Sequence, residues 1–344
     1  MEDGIRGTKF RNGTLILEAR LLTLSLLKAK NILITGGAGF IGSHLAELLV
    51  SEGHRVTILD DFNDYYDPAN KEANLLRFQE KVEVIRADIR DAVAVERAFA
   101  GGHFDSVVHL AARAGVRPSI SDPKLYVTTN IDGTFNLLDA CRYHKVPQFI
   151  FASSSSVYGV NEKVPFAETD ALTRTISPYA ATKLACEQIC SNYSHLFGIR
   201  IMCLRFFTVY GPRQRPDLAI NKFTKRILAG EPIQRYGDGS SRRDYTFISD
   251  IVAGIRASLT YEKSDFEIVN LGGSHTTTLS ELIETLEDVI GKKAIIEQLP
   301  DQPGDVPQTS ADVSKAKEIW NWEPQVSLQE GLTQYVEWFR DRGR

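Results

Sequence analysis

The chain has 344 residues, 43% of them hydrophobic and 24% charged, with a formal net charge of −4. That length suits one large α/β domain and a smaller companion, and the composition is that of a globular protein without low-complexity tracts. Mild acidity without any run of lysine or arginine speaks against a nucleic-acid partner.

The first 30 residues carry an apolar-rich stretch at 15–27, interrupted by Glu18 and Arg20. It is shorter than the ~20 residues a membrane span needs, and no small-residue cleavage site follows it. Residues 1–30 are therefore expected to form an N-terminal extension outside the fold, with no membrane partner. From residue 31 the pattern changes. Residues 31–35 (NILIT) read as a buried strand, and 43–52 as a helix with Leu45, Leu48 and Leu49 on one face, closed by Gly53. Further strands are predicted at 55–59, 83–86, 106–110, 148–152 and 199–205, with helices between them at 132–144 and 178–197. This alternation predicts an α/β fold with a doubly wound parallel Rossmann sheet. After Arg205, turn-rich segments at 210–216, 236–241 and 299–307 separate helices at 219–229, 279–290 and 327–341. They predict a smaller C-terminal substrate-binding lobe over the carboxyl edge of the sheet. The expected division is a dinucleotide-binding domain at 31–206, rejoined by about 243–262, and a lobe made of 207–242 and 263–344.

Cys141, Cys186, Cys190 and Cys203 fall inside predicted helices and strands. They read as small buried hydrophobes of a reducing, cytoplasmic compartment, and no metal site is expected from them.

Gly36-Gly37-Ala38-Gly39-Phe40-Ile41-Gly42 follows the first strand directly and opens the first helix. A diphosphate needs backbone N–H groups at close approach and the positive end of a helix dipole, which side chains in this turn would block. Asp60 closes the second strand, eighteen residues beyond Gly42. A carboxylate there accepts the adenosine ribose hydroxyls and repels a 2′-phosphate, so NAD is favoured over NADP. Asp88 and Ile89, after the third strand, are placed to flank the adenine.

Tyr179 and Lys183 stand four residues apart at the start of a predicted helix, and so on one face of it. A phenol with a reference pKa near 10 is a poor base at neutral pH; a neighbouring ammonium and a cationic nicotinamide would lower it. Between the glycine turn and this pair, Ser153-Ser154-Ser155-Ser156-Val157-Tyr158-Gly159 ends a strand and offers hydroxyls to the same chemistry.

From these motifs the chain resembles the extended short-chain dehydrogenases/reductases, over residues 31 to about 339. The resemblance implies that Ser154 joins Tyr179 and Lys183 in catalysis, with Ser156 beside them. It also implies that Asn63, Leu110, Ala111, Ala112, Asn130, Ser153 and Phe206 contact the cofactor. Finer stretches are similar to those of UDP-glucuronate 4-epimerases: 61–67 (DFNDYYD), 114–117 (AGVR), 205–212 (RFFTVYGP), 215–217 (RPD) and 302–306 (QPGDV). That group often has Asn where Asp61 stands and His where Asn221 stands. Related 4,6-dehydratases carry an Asp-Glu pair at the positions of Ser155 and Ser156, and relatives that decarboxylate carry Glu at that of Ser156; hydroxyls here imply simple epimerisation. The implied chemistry is a transient oxidation at C4 of the sugar, with NAD kept bound. Ser155, Ser156, Thr208 and Arg215 would hold the glucuronate carboxylate, with Arg117 a further cation. Arg243 would meet the UDP diphosphate, and Gln302 and Asp305 its ribose. The resemblance also implies a homodimer built from paired helices. A UDP-glucose/UDP-galactose 4-epimerase, a net NAD-dependent sugar-nucleotide dehydrogenase or reductase, and a non-catalytic dinucleotide sensor remain alternatives at this point.

Overall fold

The computed structural model describes residues 29–300 and 307–342. Most of the expected extension, together with Gln302 and Asp305, lies outside the described residues. The first half runs β1 (Asn31–Thr35), α1 (Phe40–Ser51), β2 (Arg55–Asp60), α2 (Ala69–Leu75), β3 (Val82–Arg86), α3 (Ala92–Gly101), β4 (Ser106–His109), α4 (Val116–Ser121), α5 (Pro123–Tyr126), α6 (Gly133–Tyr143), β5 (Gln148–Ser154), α7 (Pro178–Phe197) and β6 (Arg200–Phe206). The rest runs β7 (Thr208–Tyr210), α8 (Ala219–Ala229), β8 (Pro232–Tyr236), β9 (Arg242–Phe247), α9 (Ile248–Ser258), β10 (Phe266–Leu271), β11 (Thr276–Thr278), α10 (Leu279–Ile290), β12 (Ile295–Leu299), α11 (Ser314–Trp320) and α12 (Leu328–Asp341).

Seven parallel strands form the central sheet in the order β10-β6-β5-β4-β1-β2-β3. Side chains alternate across it, so Ile32 and Ile34 of β1 pack into one apolar layer and Leu33 into the other. Both faces are covered, which is why these strands read as unbroken hydrophobic runs rather than as alternating ones. The order of connection reverses between β1 and β4, and doubly wound sheets bind ligands at the carboxyl ends of the strands flanking such a reversal.

Several boundaries differ from the sequence expectation. Helix α1 begins at Phe40, because the glycine turn itself winds into it, with Ser43 N donating to Gly39 O at 3.0 Å. The helix expected at 132–144 is α6, and a π-helical turn over Val127–Asp132, absent from the sequence expectation, leads into it. Of the segment expected to rejoin the nucleotide-binding domain, 243–262, helix α9 packs with α1 in one apolar layer, whereas its first residues belong to another sheet. Residues 242–247 form β9, which pairs with β7 and β11 in a separate three-stranded sheet. It is β10, at 266–271, that joins β6. Strand β10 thus falls inside 263–344, the segment expected to belong to the lobe. A further pair, β8 and β12, forms a two-stranded sheet. One apolar layer runs from Leu45 and Leu49 of α1 through Ile251 and Ile255 of α9 to Leu282, Leu332 and Tyr335, so the elements after β6 share a core with the nucleotide-binding half. All four cysteines are buried and unbonded.

Candidate active site

A cavity lies at the β1/β4 reversal. Its floor is the glycine turn. Gly36 has φ 69°, and a Cβ there would stand 2.7 Å from the Ala111 backbone nitrogen; one on Gly42 would stand 2.3 Å from Gly36 O. Gly39 is the N-cap residue of α1 and makes no side-chain cap, so the first amides of that helix are left for a ligand. These features fit a dinucleotide diphosphate.

Beside the turn, Asp60 ends β2. Its Oδ1 accepts from Phe62 N at 2.9 Å and Lys71 Nζ at 2.9 Å, and its Oδ2 from Ala38 N at 3.2 Å. Phe40, Ile41, Asn63, Asp88, Ile89, Leu110, Ala111, Ala112, Ser153 and Phe206 line the same cavity. Asp88 is turned toward Arg90, whose Nε and Nη2 donate to Oδ2 at 2.9 and 2.5 Å. The Ser153 hydroxyl donates to Glu187 Oε1 at 2.5 Å, and Glu187 in turn pairs with the buried Arg205.

The reactive end is built by α7. Ser177 caps it by accepting from Ala180 N, and Pro178 fills its first turn, where no N–H is needed. Tyr179 and Lys183 then project together into the cavity, alongside Ser154. Ser154 lies within hydrogen-bonding reach of the Tyr179 phenol. Burial pushes that phenol above its ordinary value of 10, against the downward pull of the Ser154 hydrogen bond and the Arg215 charge. Lys183 donates to Ala152 O at 2.8 Å, and burial pulls its ammonium down to about 8, against the upward action of Cys186, Cys190 and Glu187. The protein by itself thus raises the phenol, contrary to the expectation that Lys183 would lower it. The cations that act on the phenol are Arg215 and whatever positive charge a cofactor brings.

Thr208 and Arg215 also line the cavity. The Arg215 fork holds Asp217 with bonds of 2.9 and 2.8 Å, and lies 5.4 Å from the Tyr65 ring centroid. Other expected contacts stand back from the cavity wall. Asn130 spends its amide on Arg113 N at 2.8 Å, Arg113 O at 3.1 Å and Thr182 Oγ1 at 3.0 Å, so it shapes the loop after β4. Ser155 and Ser156 lie in a 3₁₀ turn after β5, and Ser156 reaches the site only through Ser154, at 3.1 Å. Arg117 lies 5.2 Å from the Tyr236 ring centroid, and Arg243 donates to Arg242 O at 2.9 Å. Arg113, Lys71 and Thr129 line the cavity without a sequence expectation, and Tyr65 and Tyr66, which in the sequence stand only as part of the 61–67 stretch, line it too. The only sequence signal for Arg113 was its place directly after the Leu110-Ala111-Ala112 run.

Residues 33–335 match the family model described as GDP-mannose 4,6 dehydratase. The chain is 43% identical to a UDP-glucuronate 4-epimerase of Thermodesulfobacterium geofontis, over 90% of this chain and 96% of that one. The crystal structure of a Bacillus cereus UDP-glucuronic acid 4-epimerase in complex with UDP-glucuronic acid and NAD is similar, with TM-score 0.85, 39% identity, and coverage of 91% of this chain and 99% of that one. So is that of a Thermotoga maritima UDP-glucose 4-epimerase with UDP-glucose, with TM-score 0.84, 36% identity, and coverage of 91% and 100%.

Proposed function

Since the chain belongs to the GDP-mannose 4,6 dehydratase family, within the extended short-chain dehydrogenases/reductases, we propose that it is an NAD-dependent epimerase converting UDP-glucuronate to UDP-galacturonate at C4 without decarboxylation. The observation that carries this reading is the convergence of Tyr179, Ser154 and Lys183 with the glycine turn in one cavity. Held by the glycine turn and Asp60, NAD would supply reversible hydride acceptance at C4 of the sugar. Tyr179 as phenolate accepts the 4-hydroxyl proton and later gives it back, and Ser154 holds both oxygens in line. Lys183, fixed by Ala152 O, sets the charge beside the nicotinamide ribose.

The 4-keto sugar is a β-keto acid, and it keeps its carboxylate only if that group is held out of line for C–C cleavage. Arg215, whose charge acts on Tyr179, and Thr208, which lines the same cavity, suit that task. Ser155 and Ser156 supply no carboxylate for dehydration or decarboxylation. The UDP end is assigned to Arg243, which stands outside the cofactor cavity, and to Gln302 and Asp305. A homodimer belongs to the same reading, supported by Phe135, Tyr143 and Leu196, which leave 40%, 68% and 63% of their surfaces exposed on α6 and α7. A cytoplasmic location suits the four unbonded thiols. No helix among the described residues is long and apolar enough to cross a membrane.

The test is incubation of the purified protein with UDP-glucuronate and no added cofactor, followed by proton NMR. UDP-galacturonate is the expected product. Carbon dioxide with a pentose product, or a stoichiometric rise in free NADH absorbance, would overturn the assignment.

A further inference from the structure

The cavity is lined by several cations, and all but one of the side chains are committed. Lys71 pairs with Asp60 and Asp61, Arg215 with Asp217, and Lys183 donates to a backbone carbonyl. Among the described residues no carboxylate is in ion-pair contact with Arg113, although Asp88 feels its charge at longer range. Its Nη1 meets only the amide oxygen of Asn63, at 3.4 Å, and its guanidinium carbon stands 5.9 Å from the Tyr65 ring centroid. Its backbone, by contrast, is clamped on both sides by the Asn130 amide. An arginine on a fixed stem at a ligand cavity, with no carboxylate in direct contact and only the longer-range field of Asp88 opposing its charge, is built to receive an anion.

The place of Arg113 says which anion. It stands two residues after Ala111, whose backbone is packed against Gly36 closely enough to exclude a Cβ. The loop carrying Arg113 therefore crosses the cavity beside the glycine turn, and its side chain meets Asn63 in the segment after β2, on the Tyr65 ring that Arg215 also approaches, at 5.4 Å. Helix N–H groups alone answer a doubly negative diphosphate with partial charges, whereas a guanidinium fork adds a full one. We propose that Arg113 is a ligand of the cofactor diphosphate, oriented by Asn63 and Tyr65, and that it slows cofactor release between the two hydride transfers. This rests on the reading of the cavity as an NAD site.

The experiment compares Arg113→Met and Arg113→Lys with the unaltered protein. Each is loaded with NAD, and NAD loss during dialysis is followed by chromatography of acid-released nucleotide; thermal unfolding checks that both variants fold. Arg113→Met should lose NAD at least about tenfold faster, the value of one charge-assisted hydrogen bond, with Arg113→Lys intermediate. Added salt should speed release from the unaltered protein more than from Arg113→Met. The KM for UDP-glucuronate at saturating NAD should stay within about threefold, since the diphosphate contact is made to the cofactor alone. NAD retention equal to that of the unaltered protein would overturn the assignment, and a raised KM alongside it would reassign Arg113 to the sugar carboxylate. If the unaltered protein retains no NAD after loading, the cofactor reading itself fails, and this proposal with it.

Discussion

The Lys71 ammonium lies 2.9 Å from Oδ1 of Asp60, and the two side chains are only 7% and 3% exposed at the end of β2. The carboxylate that reads in sequence as the selector against a 2′-phosphate is therefore half of a buried ion pair. Its repulsion of phosphate is partly answered by the protein, and Asp61, 3.5 Å from the same ammonium, supplies the remaining negative charge.

Removing one partner of such a pair leaves an uncompensated buried charge. Lys71→Met should cost about 3–5 kcal/mol of stability in urea denaturation. The double variant Asp60→Asn with Lys71→Met should recover much of that loss. A single Lys71→Met variant as stable as the parent would show that Asp60 draws its support from the Phe62 and Ala38 amides instead.

Tyr179→Phe should lower kcat by about 10²- to 10⁴-fold, the usual worth of a positioned acid–base group, while bound NAD is unchanged. Ser154→Ala should act more gently and in a specific way. The Ser154 hydrogen bond favours the phenolate, so without it the phenol pKa rises further and the acid limb of the kcat profile moves to higher pH. A pH–rate series on both proteins checks this. An unmoved limb would mean that the hydroxyl orients substrate and leaves the phenol untouched.

Lys183 titrates near 8 in the folded protein, because burial penalises its charge, against an ordinary value of 10.5. Between those values the unfolded chain binds more protons, so stability should rise with pH across that window. Below pH 8 the buried ammonium costs the fold about 3 kcal/mol at most. Lys183→Met should therefore melt at a higher temperature than the parent at pH 7, with the gap closing toward pH 10.5, even as turnover is lost. Scanning calorimetry at the two pH values distinguishes this from a role for Lys183 in holding the fold.

Arg215→Ala should show two separable effects. Loss of its charge near Tyr179 weakens turnover of any substrate, whereas loss of its fork harms only a carboxylate-bearing sugar. The ratio of kcat/KM for UDP-glucuronate to that for UDP-glucose should fall by about tenfold or more, as one charge-assisted contact is lost. Equal losses on both sugars would remove the carboxylate role.

Gly42→Ala would place a methyl 2.3 Å from Gly36 O and 2.7 Å from Gly37 Cα, both backbone atoms that cannot swing aside. Overpacking of this kind costs about 1–3 kcal/mol or more. The glycine turn should deform, with NAD content falling further than the melting temperature alone would suggest.

Much of this was legible in the residues themselves, for a local reason. The glycine turn, Asp60 at a strand end and the Tyr179–Lys183 pair each depend on backbone sterics or helix period over a few residues, so spacing and residue type were enough to place them. Helix α7 was readable to both ends because Ser177, Pro178 and Gly198 punctuate it. What the tertiary structure decided was which distant segments meet. Arg113, Tyr65 and Lys71 enter the cavity from loops and a short helix whose approach is set by packing on the sheet. Arg117 and Arg243, equally plausible as cations in the sequence, stand back from it. Strand β10 joins β6 because pairing there buries Val269 and Leu271 completely, a gain that no local pattern around 266–271 announces.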